Sequence, residues 1–226
     1  MSKEAKKSGI SSSVIKRLPR YYRFTGELLN QGTVRISSGE LAEKMSLTAS
    51  QIRQDLNCFG GFGQQGYGYN LTELRQEIGK ILGVHKSCKT ILIGAGNLGR
   101  AIAAHMDFTK YGCSLIGIFD SDPQKTGEKV ADLEIMNVSE MERFCQSEQP
   151  QIAILCIPKN AAQELADKLV SLGIKAFWNF SHYDIKISHK NVAVENVHLG
   201  DSIMMLSYAL NNSKADKADK ADKAEP

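Results

Sequence analysis

The chain has 226 residues, of which 42% are hydrophobic and 23% are charged, and its formal net charge is +3. This length suits one large domain or two small ones, and the composition excludes a wholly disordered chain and a fibrous repeat. The charge is uneven. Residues 1–86 carry 13 Lys and Arg against 7 Asp and Glu, whereas residues 87–226 carry 15 against 18. A basic first part joined to a mildly acidic second part favours a nucleic-acid-binding module attached to another domain.

Composition and motifs give no indication of membrane, secretory or metal chemistry. The sequence has no apolar run of membrane-spanning length and no apolar stretch behind the first seven residues that is typical of a secretory signal. The five cysteines are far apart, with no Cys-x-x-Cys pair and no His at metal-ligand spacing. We therefore expect no metal site, no disulfide framework and no membrane partner, and we expect reduced thiols in a cytoplasmic protein.

The first unit spans residues 13–84, after a segment (1–12) that we expect to be disordered. Apolar residues at helical spacing predict four helices, over Ser13 to about Asn30, Glu40 to Met45, Ala49 to about Phe59, and Leu71 to Leu82. Caps are predicted at Ser37 or Ser38, at Thr48 and at Thr72. Two short helices joined by a turn are typical of a helix-turn-helix, and the glycine- and aromatic-rich segment 60–69 predicts a hairpin. The sequence therefore predicts a winged helix-turn-helix domain.

The second unit spans residues 88–200, where apolar strands alternate with amphipathic helices. The predicted strands are Thr90–Ile93, Ser114–Phe119, Leu133–Met136, Ile152–Ile157, Ala176–Trp178 and Val192–Val194. The predicted helices are Leu98–Phe108, one capped by Ser139 with Glu142, and Ala161–Leu172. Such alternation predicts an α/β domain with a doubly wound parallel sheet, of the Rossmann type.

The last predicted helix, over residues 201–212, is apolar nearly all round. Such a helix is either deeply buried or in contact with a partner subunit. The Lys-Ala-Asp repeats that follow are low in hydrophobicity, so we expect residues 213–226 to be a disordered tail.

A glycine motif, Gly94-Ala95-Gly96-Asn97-Leu98-Gly99, follows the first strand of the second unit and begins a helix. Its first glycine permits a tight turn, its second lets a pyrophosphate approach the backbone, and its third allows close packing of helix and strand. The next strand ends at Asp120, which can accept hydrogen bonds from ribose hydroxyls and would repel a 2′-phosphate. The pattern predicts an NAD(H) site, although Lys125 and Lys129 follow Asp120.

Further cofactor-binding candidates come from the carboxyl ends of later strands, because a bound dinucleotide lies at that edge of the sheet. They are Ile157, Pro158, Asn179 and Phe180, and His105 on the first helix is added because it is the His closest to the motif. No Tyr-x-x-x-Lys pair, His-Glu-x-x-His or Gly-x-Ser-x-Gly motif accompanies them. We therefore predict binding without catalysis, and name no catalytic residue.

The chain resembles the Rex family of redox-sensing transcriptional repressors along nearly its whole length. The resemblance rests on Leu18-Pro19-Arg20-Tyr21-Tyr22, Ser37-Ser38, Glu40-Leu41, Gln51-Ile52-Arg53, Asp55-Leu56, Phe59-Gly60, Gly66, Gly68-Tyr69, the glycine motif, Phe119-Asp120, Asp122-Pro123, Ala161-Ala162-Gln163 and Asn179-Phe180. It implies a homodimer whose last helix is exchanged between subunits. It also implies binding to palindromic operator DNA with NAD⁺, and release when NADH replaces it.

The DNA-binding candidates lie in the first unit. We expect Arg53 and Gln54 to contact bases, with Ser50 and Gln51 nearby, and Arg17, Arg20 and Lys44 to contact phosphates. Gln64, Gln65 and Tyr67 belong to the wing, where a minor-groove contact would favour A·T-rich DNA.

The chain departs from the family pattern at three places. Gln54 stands where the family usually has a basic residue, and Gln64-Gln65 where the wing tip usually carries Lys or Arg. Because Gln pairs with adenine whereas Arg and Lys prefer guanine, we expect an operator altered at the facing bases. His198 stands where an acidic residue is expected to pair with an N-terminal Arg, so we expect release from the operator to depend on pH.

Two alternatives stay open at this point. One is an NAD-dependent oxidoreductase with an accessory helical domain. The other is a DNA-binding regulator whose Rossmann domain holds another nucleotide, such as coenzyme A.

Overall fold

The computed structural model describes residues 10–60, 63–64 and 67–222, of which 63–64 and 213–222 are described by their backbone alone. The chain divides into two compact units, on either side of the bond between Lys86 and Ser87. Within the described ranges, no helix is both long enough and apolar enough to cross a membrane.

The N-terminal unit is a winged helix-turn-helix domain, as the sequence predicts. Its helices are α1 (Ser12–Asn30), α2 (Ser38–Met45), α3 (Ala49–Asn57) and α4 (Leu71–Leu82), and its strands are β1 (Arg35–Ile36), β2 (Gly63–Gln64) and β3 (Gly68–Asn70). The strands pair antiparallel in the order β1-β3-β2. Leu18, Leu41, Ile52 and Leu74, one from each helix, are buried in a common core. The apolar spacing read from the sequence is therefore the spacing of this core.

Local capping shapes the helix-turn-helix. The Ser37 hydroxyl accepts from the Glu40 N–H at 3.1 Å and the Glu40 carboxylate accepts from the Ser37 N–H, which makes a capping box at the start of α2. Ser46 has a φ of +52° and ends α2. The Thr48 hydroxyl accepts from the Gln51 N–H and begins α3. The turn therefore follows from capping at both helix ends.

Two local predictions for this unit are wrong. Asn70, rather than Thr72, caps α4, because its side-chain oxygen accepts from two N–H groups of the first turn. Helix α1 begins at Ser12, one residue inside the segment predicted to be disordered, and continues through Pro19. Proline costs about 3 kcal/mol inside a helix, but the flanking Leu18 and Tyr21 are fully buried, and their packing offsets that cost.

The second unit is an α/β domain around one sheet. Its strands are β4 (Cys88–Ile93), β5 (Cys113–Asp120), β6 (Lys129–Val130), β7 (Leu133–Asn137), β8 (Ile152–Leu155), β9 (Ala176–Asn179) and β10 (Ala193–Asn196), and its helices are α5 (Asn97–His105), α6 (Met141–Glu148), α7 (Lys159–Ser171) and α8 (Ile185–Ser188). The strand order is β10-β9-β8-β4-β5-β7-β6. Strand β4 is central, with Ile91 and Ile93 in one core cluster and Leu92 in another. The sheet is therefore doubly wound, as predicted.

Two details of the sheet differ from the sequence prediction. Strand β6 was not predicted, and it pairs antiparallel with β7 at the sheet edge. It is only two residues long, too short for a periodic signal. The predicted capping box of Ser139 and Glu142 is also wrong, because Asn137 and Glu140 form it two residues earlier.

The last helix, α9 (Leu199–Asp222), is longer than predicted. Residues 213–222, predicted to be a disordered tail, are helical. The repeats have low hydrophobicity, but Ala and Lys are good helix formers and neither Gly nor Pro interrupts the segment. The apolar side chains of α9 are 58–67% exposed: Leu199, Ile203, Met204, Met205, Leu206, Tyr208 and Leu210. The part of α9 whose side chains are described therefore presents a largely exposed apolar surface.

Candidate functional site

The first site is built around the turn between β4 and α5. Gly94 has a φ of +99°, in the left-handed region that favours glycine, and a Cβ there would collide with the Cys156 carbonyl oxygen. A Cβ on Gly99 would collide with the Gly94 carbonyl oxygen. The turn therefore requires glycine at both positions.

Gly96 differs from its neighbours because the space beside it is open. Among the described residues, no atom lies within 4 Å of the position that a Cβ would take. Gly96 is also the N-cap of α5, and no side chain caps the helix there. The first-turn N–H groups, which include those of Asn97 and Leu98, have no intrahelical acceptor. A phosphate could therefore approach the backbone here and accept those hydrogen bonds.

Asp120 ends β5 beside this turn and is almost fully buried. Its Oδ2 accepts from the Ala95 N–H at 2.7 Å, and its Oδ1 accepts from the Asp122 N–H at 2.9 Å. Lys125 Nζ lies 3.1 Å from Oδ2. Burial alone would raise the pKa of Asp120, but these hydrogen bonds and the lysine charge outweigh it and lower the pKa. The carboxylate is therefore held ionised and already has a cationic partner.

The turn and Asp120 line one cavity of about 470 Å³. Of the predicted cofactor-binding residues, Gly94, Gly96, Asp120, Ile157 and Pro158 line it. The other four residues of the glycine motif, Ala95, Asn97, Leu98 and Gly99, belong to the turn and the start of α5 and are not part of the lining. The volume and the mixed lining suit a nucleotide-sized ligand.

Sequence reasoning missed one wall of the cavity. Helix α7 contributes Ala161, Glu164, Leu165 and Lys168, which recur at the spacing of one helix face. Lys125 and Val138 also line the cavity. The period in α7 is visible in the sequence, but only the topology shows that this face borders the glycine turn.

Three predicted cofactor residues, Asn179, Phe180 and His105, belong neither to this lining nor to the glycine motif. The Asn179 amide is fully buried and donates to the Tyr183 carbonyl oxygen and Asn196 Oδ1, while its oxygen accepts from Ser181. Phe180 packs against Trp178, with ring centroids 4.9 Å apart. Asn179 therefore organises the loop after β9 through Ser181 and Tyr183, and it joins this loop to the end of β10 through Asn196.

His105 is the third predicted cofactor residue that lies outside the lining and the glycine motif. It is the last residue of α5, at the opposite helix end from the glycine turn, and it lines a shallow depression with Met106, Asp107 and Tyr111. Closeness in sequence therefore did not place it in the cavity, because the helix carries it away from the turn.

The second site is the outward face of the helix-turn-helix. Ser50, Arg53 and Gln54 of α3 are exposed, as is Lys44 of α2. Arg53 Nη1 donates to Ser38 Oγ at 2.9 Å, which ties the guanidinium to the start of α2. These four predicted residues can reach a ligand from the surface.

Two other predicted DNA contacts are engaged inside the unit. Arg17 donates twice to the Asp55 carboxylate, at 2.6 and 2.7 Å, and Gln51 Nε2 donates to it at 2.8 Å. The Tyr21 hydroxyl donates to it at 2.8 Å. Burial alone would raise the pKa of Asp55, but these bonds outweigh it and lower the pKa. Arg17 and Tyr21 therefore join α1 to Asp55 of α3, whereas the Gln51 bond lies within α3. Contact of Arg17 and Gln51 with DNA stays a prediction.

Arg20 is also partly engaged, since it donates to the Met45 carbonyl oxygen and lies over the Phe24 ring. In the wing, Tyr67 is 72% exposed and its carbonyl oxygen accepts from Arg35 Nη1 at 3.4 Å. Gln64 belongs to β2, and Gln65 lies outside the described residues. Arg35, an exposed cation in β1 beside the wing, was missed because two-residue strands give no periodic signal.

His198 precedes α9 and contacts His182 in the loop after β9. Their Nδ1 atoms are 2.9 Å apart and their rings stack with centroids 4.8 Å apart. One nitrogen must donate and the other accept, so the contact requires at least one neutral ring. His198 is therefore joined to a residue of its own unit.

Comparison with known proteins gives matches in both units. The family described as CoA binding domain matches residues 85–183, and the family described as Putative DNA-binding protein N-terminus matches residues 9–57. The redox-sensing transcriptional repressor Rex of Thermoanaerobacter pseudethanolicus is 55% identical, over 93% of each chain. The Rex repressor of Clostridium perfringens is 50% identical, over 92% of this chain and 98% of its own.

Solved structures agree. The crystal structure of RSP in complex with β-NAD⁺ and operator DNA has a TM-score of 0.85 and 54% identity, covering 96% of this chain and all of its own. The structure of RSP with β-NADH has the same TM-score and 51% identity, covering 94% of this chain and 99% of its own. RSP is described as a Rex-family repressor.

The fold, the cavity and the exposed face of the helix-turn-helix together define a DNA-binding regulator with a nucleotide-binding domain. We call that face the recognition surface; it consists of Lys44, Ser50, Arg53 and Gln54. The chain belongs to the Rex family of redox-sensing transcriptional repressors. The resemblance drawn from the motifs is confirmed, and the alternative of an oxidoreductase is not favoured, because close relatives are named as repressors.

Proposed function

We propose that this chain binds operator DNA as a homodimer and leaves it when NADH replaces NAD⁺, so that transcription follows the cellular NADH/NAD⁺ ratio. One observation carries the proposal: a single chain holds both an open glycine cleft ending at an ionised Asp120 and an exposed recognition helix. The complexes of RSP with β-NAD⁺ and operator DNA and with β-NADH support it. We also propose that this protein acts in the cytoplasm, because a regulator must meet the chromosomal genes that it controls.

In this proposal the cleft binds the dinucleotide with its backbone and with Asp120. The N–H groups at the start of α5 donate to the pyrophosphate beside Gly96. Asp120 accepts from the adenosine ribose hydroxyls and Ile157 packs along the ligand. When bound, the nicotinamide supplies the signal, because it loses its positive charge on reduction. The two forms therefore differ in their contacts, and only a difference in contacts can shift the conformation.

The DNA side of the proposal rests on α3. Arg53 and Gln54 are exposed on the recognition helix, so they can enter the major groove, while the exposed Lys44 and Arg35 can contact phosphates. A dimer presents two such helices to half-sites about one DNA turn, or a multiple of it, apart. A change in subunit orientation would then disturb contacts at both half-sites at once.

The homodimer is proposed from α9. Its exposed apolar side chains form a long surface that water contacts unfavourably, and a second copy of α9 offers a matching one. This fits the helix exchange that the family resemblance implies. Sedimentation analysis should give a dimer, and Leu206→Asp should shift it towards monomer.

The central experiment measures operator binding by fluorescence anisotropy at fixed total dinucleotide and varied NADH/NAD⁺ ratio. We expect tight binding with NAD⁺ and progressive release as NADH increases. Affinity that is independent of the ratio would contradict the proposal.

Gly96→Ala sharpens this test. A Cβ fits the open space in the free protein but occupies the path of the pyrophosphate. We expect unchanged stability, a loss of NADH affinity of about tenfold or more, and loss of the NADH response. Gly39→Ala, where the nearest atom is Ser37 Oγ at 3.7 Å, is the matched control and should keep NADH affinity.

The second candidate ligand, coenzyme A, has one observation in its favour, the family model that matches residues 85–183. Asp120 counts against it, because its carboxylate would repel the 3′-phosphate of the coenzyme A ribose. Titration with NADH, NADPH and coenzyme A under identical conditions separates the candidates. Tighter binding of coenzyme A than of NADH would overturn the proposed cofactor.

A further inference from the structure

Two cysteines begin neighbouring strands of the sheet. Cys88 is the first residue of β4 and Cys113 is the first residue of β5, and the two are paired in register. The Cys88 N–H donates to the Gly112 carbonyl oxygen at 2.9 Å, which fixes the two strand starts side by side. Adjacent strands lie about 4.8 Å apart, within the range of about 4.4–6.8 Å that the Cα atoms of a disulfide span.

The side chains of this pair are on one face of the sheet. Residues in register on adjacent parallel strands point the same way, so the two Cβ vectors do not diverge. The pKa of the Cys113 thiol is raised, mainly by burial. A hydrogen bond with the Thr90 hydroxyl opposes this shift, and the charge of the nearby Cys88 adds to it. Both thiols are half-buried, so a small oxidant can reach them.

The other three cysteines lack such a partner in the described structure. Cys58 is exposed in the N-terminal unit, Cys145 is a buried residue of α6, and Cys156 lines the nucleotide cavity. Register pairing therefore distinguishes Cys88 and Cys113 from the rest.

We propose that Cys88 and Cys113 are an oxidisable thiol pair that hydrogen peroxide converts to an intramolecular disulfide. Cys88 attacks one peroxide oxygen, the O–O bond breaks, and a sulfenic acid and water form. The Cys113 thiolate then attacks the sulfenic sulfur, the S–S bond forms and the S–O bond breaks, releasing a second water. The two thiols together lose two protons and two electrons, and the peroxide is reduced to water. Cys113 is the resolving thiol, because its raised pKa slows its own first attack.

The position of the pair determines which part of the domain the disulfide would constrain. It lies at the amino ends of β4 and β5, whereas the glycine turn and Asp120 lie at their carboxyl ends. The loop that it closes contains the glycine turn and α5. The inference does not depend on the proposed function, and it predicts that oxidation leaves the dinucleotide-binding edge chemically untouched.

The experiment treats the purified full-length protein with a small excess of hydrogen peroxide, blocks free thiols under denaturing conditions and maps peptides without reduction. We expect the number of titratable thiols to fall by two from five, and a linked peptide to contain Cys88 and Cys113. Cys58→Ser keeps this linkage, and Cys113→Ser abolishes it. The Cys113→Ser protein should instead accumulate a sulfenic acid at Cys88 that dimedone traps.

Two controls keep the test decisive. Cys113→Ala replaces Cys113→Ser if the serine variant fails to fold, as judged by its thermal transition. The linkage must also appear at high dilution, since it joins residues of one chain. A linkage through Cys58, sulfenic acid in the wild-type protein without a disulfide, or unchanged thiol numbers would each overturn the proposal.

Discussion

The nucleotide cleft and the recognition surface present different kinds of groups to a ligand. In the cleft, the groups that face the cavity at α5 are backbone N–H donors, and glycines without side chains keep the approach open. On the recognition surface, the groups that face outward are the side chains of Ser50, Arg53 and Gln54. Each surface therefore depends on a different property of the chain.

Because of this difference, the two sites are weakened by different kinds of substitution. A backbone site is lost when a side chain is added, as at Gly94 or Gly99, where a Cβ would collide with main-chain atoms. A side-chain site is weakened when a partner inside the protein competes for the charge. Arg17 shows this, because Asp55 already occupies its guanidinium. Charge alone is therefore a poor guide to the recognition surface.

The largest expected effect follows from removing Asp55. Asp55→Ala leaves Arg17, the Tyr21 hydroxyl and Gln51 without their shared acceptor. We expect the N-terminal unit to lose about 3 kcal/mol of unfolding free energy, measured by urea denaturation, and operator binding to fall with it. NADH affinity should persist, because the cleft belongs to the other unit.

Glu43→Ala, which removes an exposed carboxylate from α2, is the control for Asp55→Ala. It should change stability by less than about 0.5 kcal/mol. Equal stability losses in the two variants would mean that the Asp55 cluster does not hold α1 to α3.

The next effect separates an arginine on the exposed face of α3 from one that is paired with a buried carboxylate. Arg53→Ala should lower operator affinity by about 1–3 kcal/mol and relax specificity at one base position, with stability unchanged. Arg17→Ala should lower stability, because it leaves the buried Asp55 charge unpaired. Parallel anisotropy and denaturation measurements on both variants check this. The assignment is wrong if Arg53→Ala unfolds the domain or Arg17→Ala affects DNA binding alone.

The cleft was the more predictable site. The glycine motif and Asp120 act through local backbone geometry, which a short sequence pattern determines. The wall from α7 was not predicted, because only the strand order brings Leu165 and Lys168 beside the turn. His105 lies outside the cavity lining for the related reason that closeness in sequence to the motif does not show which end of the helix a residue occupies.

The recognition surface was predictable in outline but not in detail. Helix spacing and capping residues gave α2 and α3 correctly. The partner of Arg17 is 38 positions away, beyond any local signal. Gln51 is different, since its bond to Asp55 spans one helical turn and could have been recognised. Hydrogen bonds to Asp55 within the unit therefore determine which polar side chains of α1 and α3 remain available to a ligand.

A smaller effect tests charge in the cleft. Lys125 lies 3.1 Å from Asp120 and 3.7 Å from Asp122, so it neutralises part of the acidic edge. Lys125→Met should expose that charge and weaken NADPH binding by about tenfold, with a smaller change for NADH. Lys129→Met removes an exposed lysine of β6 and should change neither affinity. Equal losses for NADH and NADPH in Lys125→Met would show that Lys125 merely supports the fold.

The smallest expected effect is the change with pH in the unfolding free energy that the Asp55 cluster contributes. The folded pKa of Asp55 is lowered by Arg17, Tyr21 and Gln51 against the opposing effect of burial, whereas an unfolded Asp titrates near about 3.9. A lowered folded pKa stabilises the fold fully above the unfolded pKa, and that stability is lost as the pH falls through the folded value. We therefore expect the stability gap between wild type and Asp55→Asn to be constant above about pH 5 and to narrow below pH 4. Urea denaturation across this range checks it, with Glu43→Gln as the exposed control. A gap that widens on acidification would require a folded pKa above the unfolded one, and with it an Asp55 that is protonated beside Arg17.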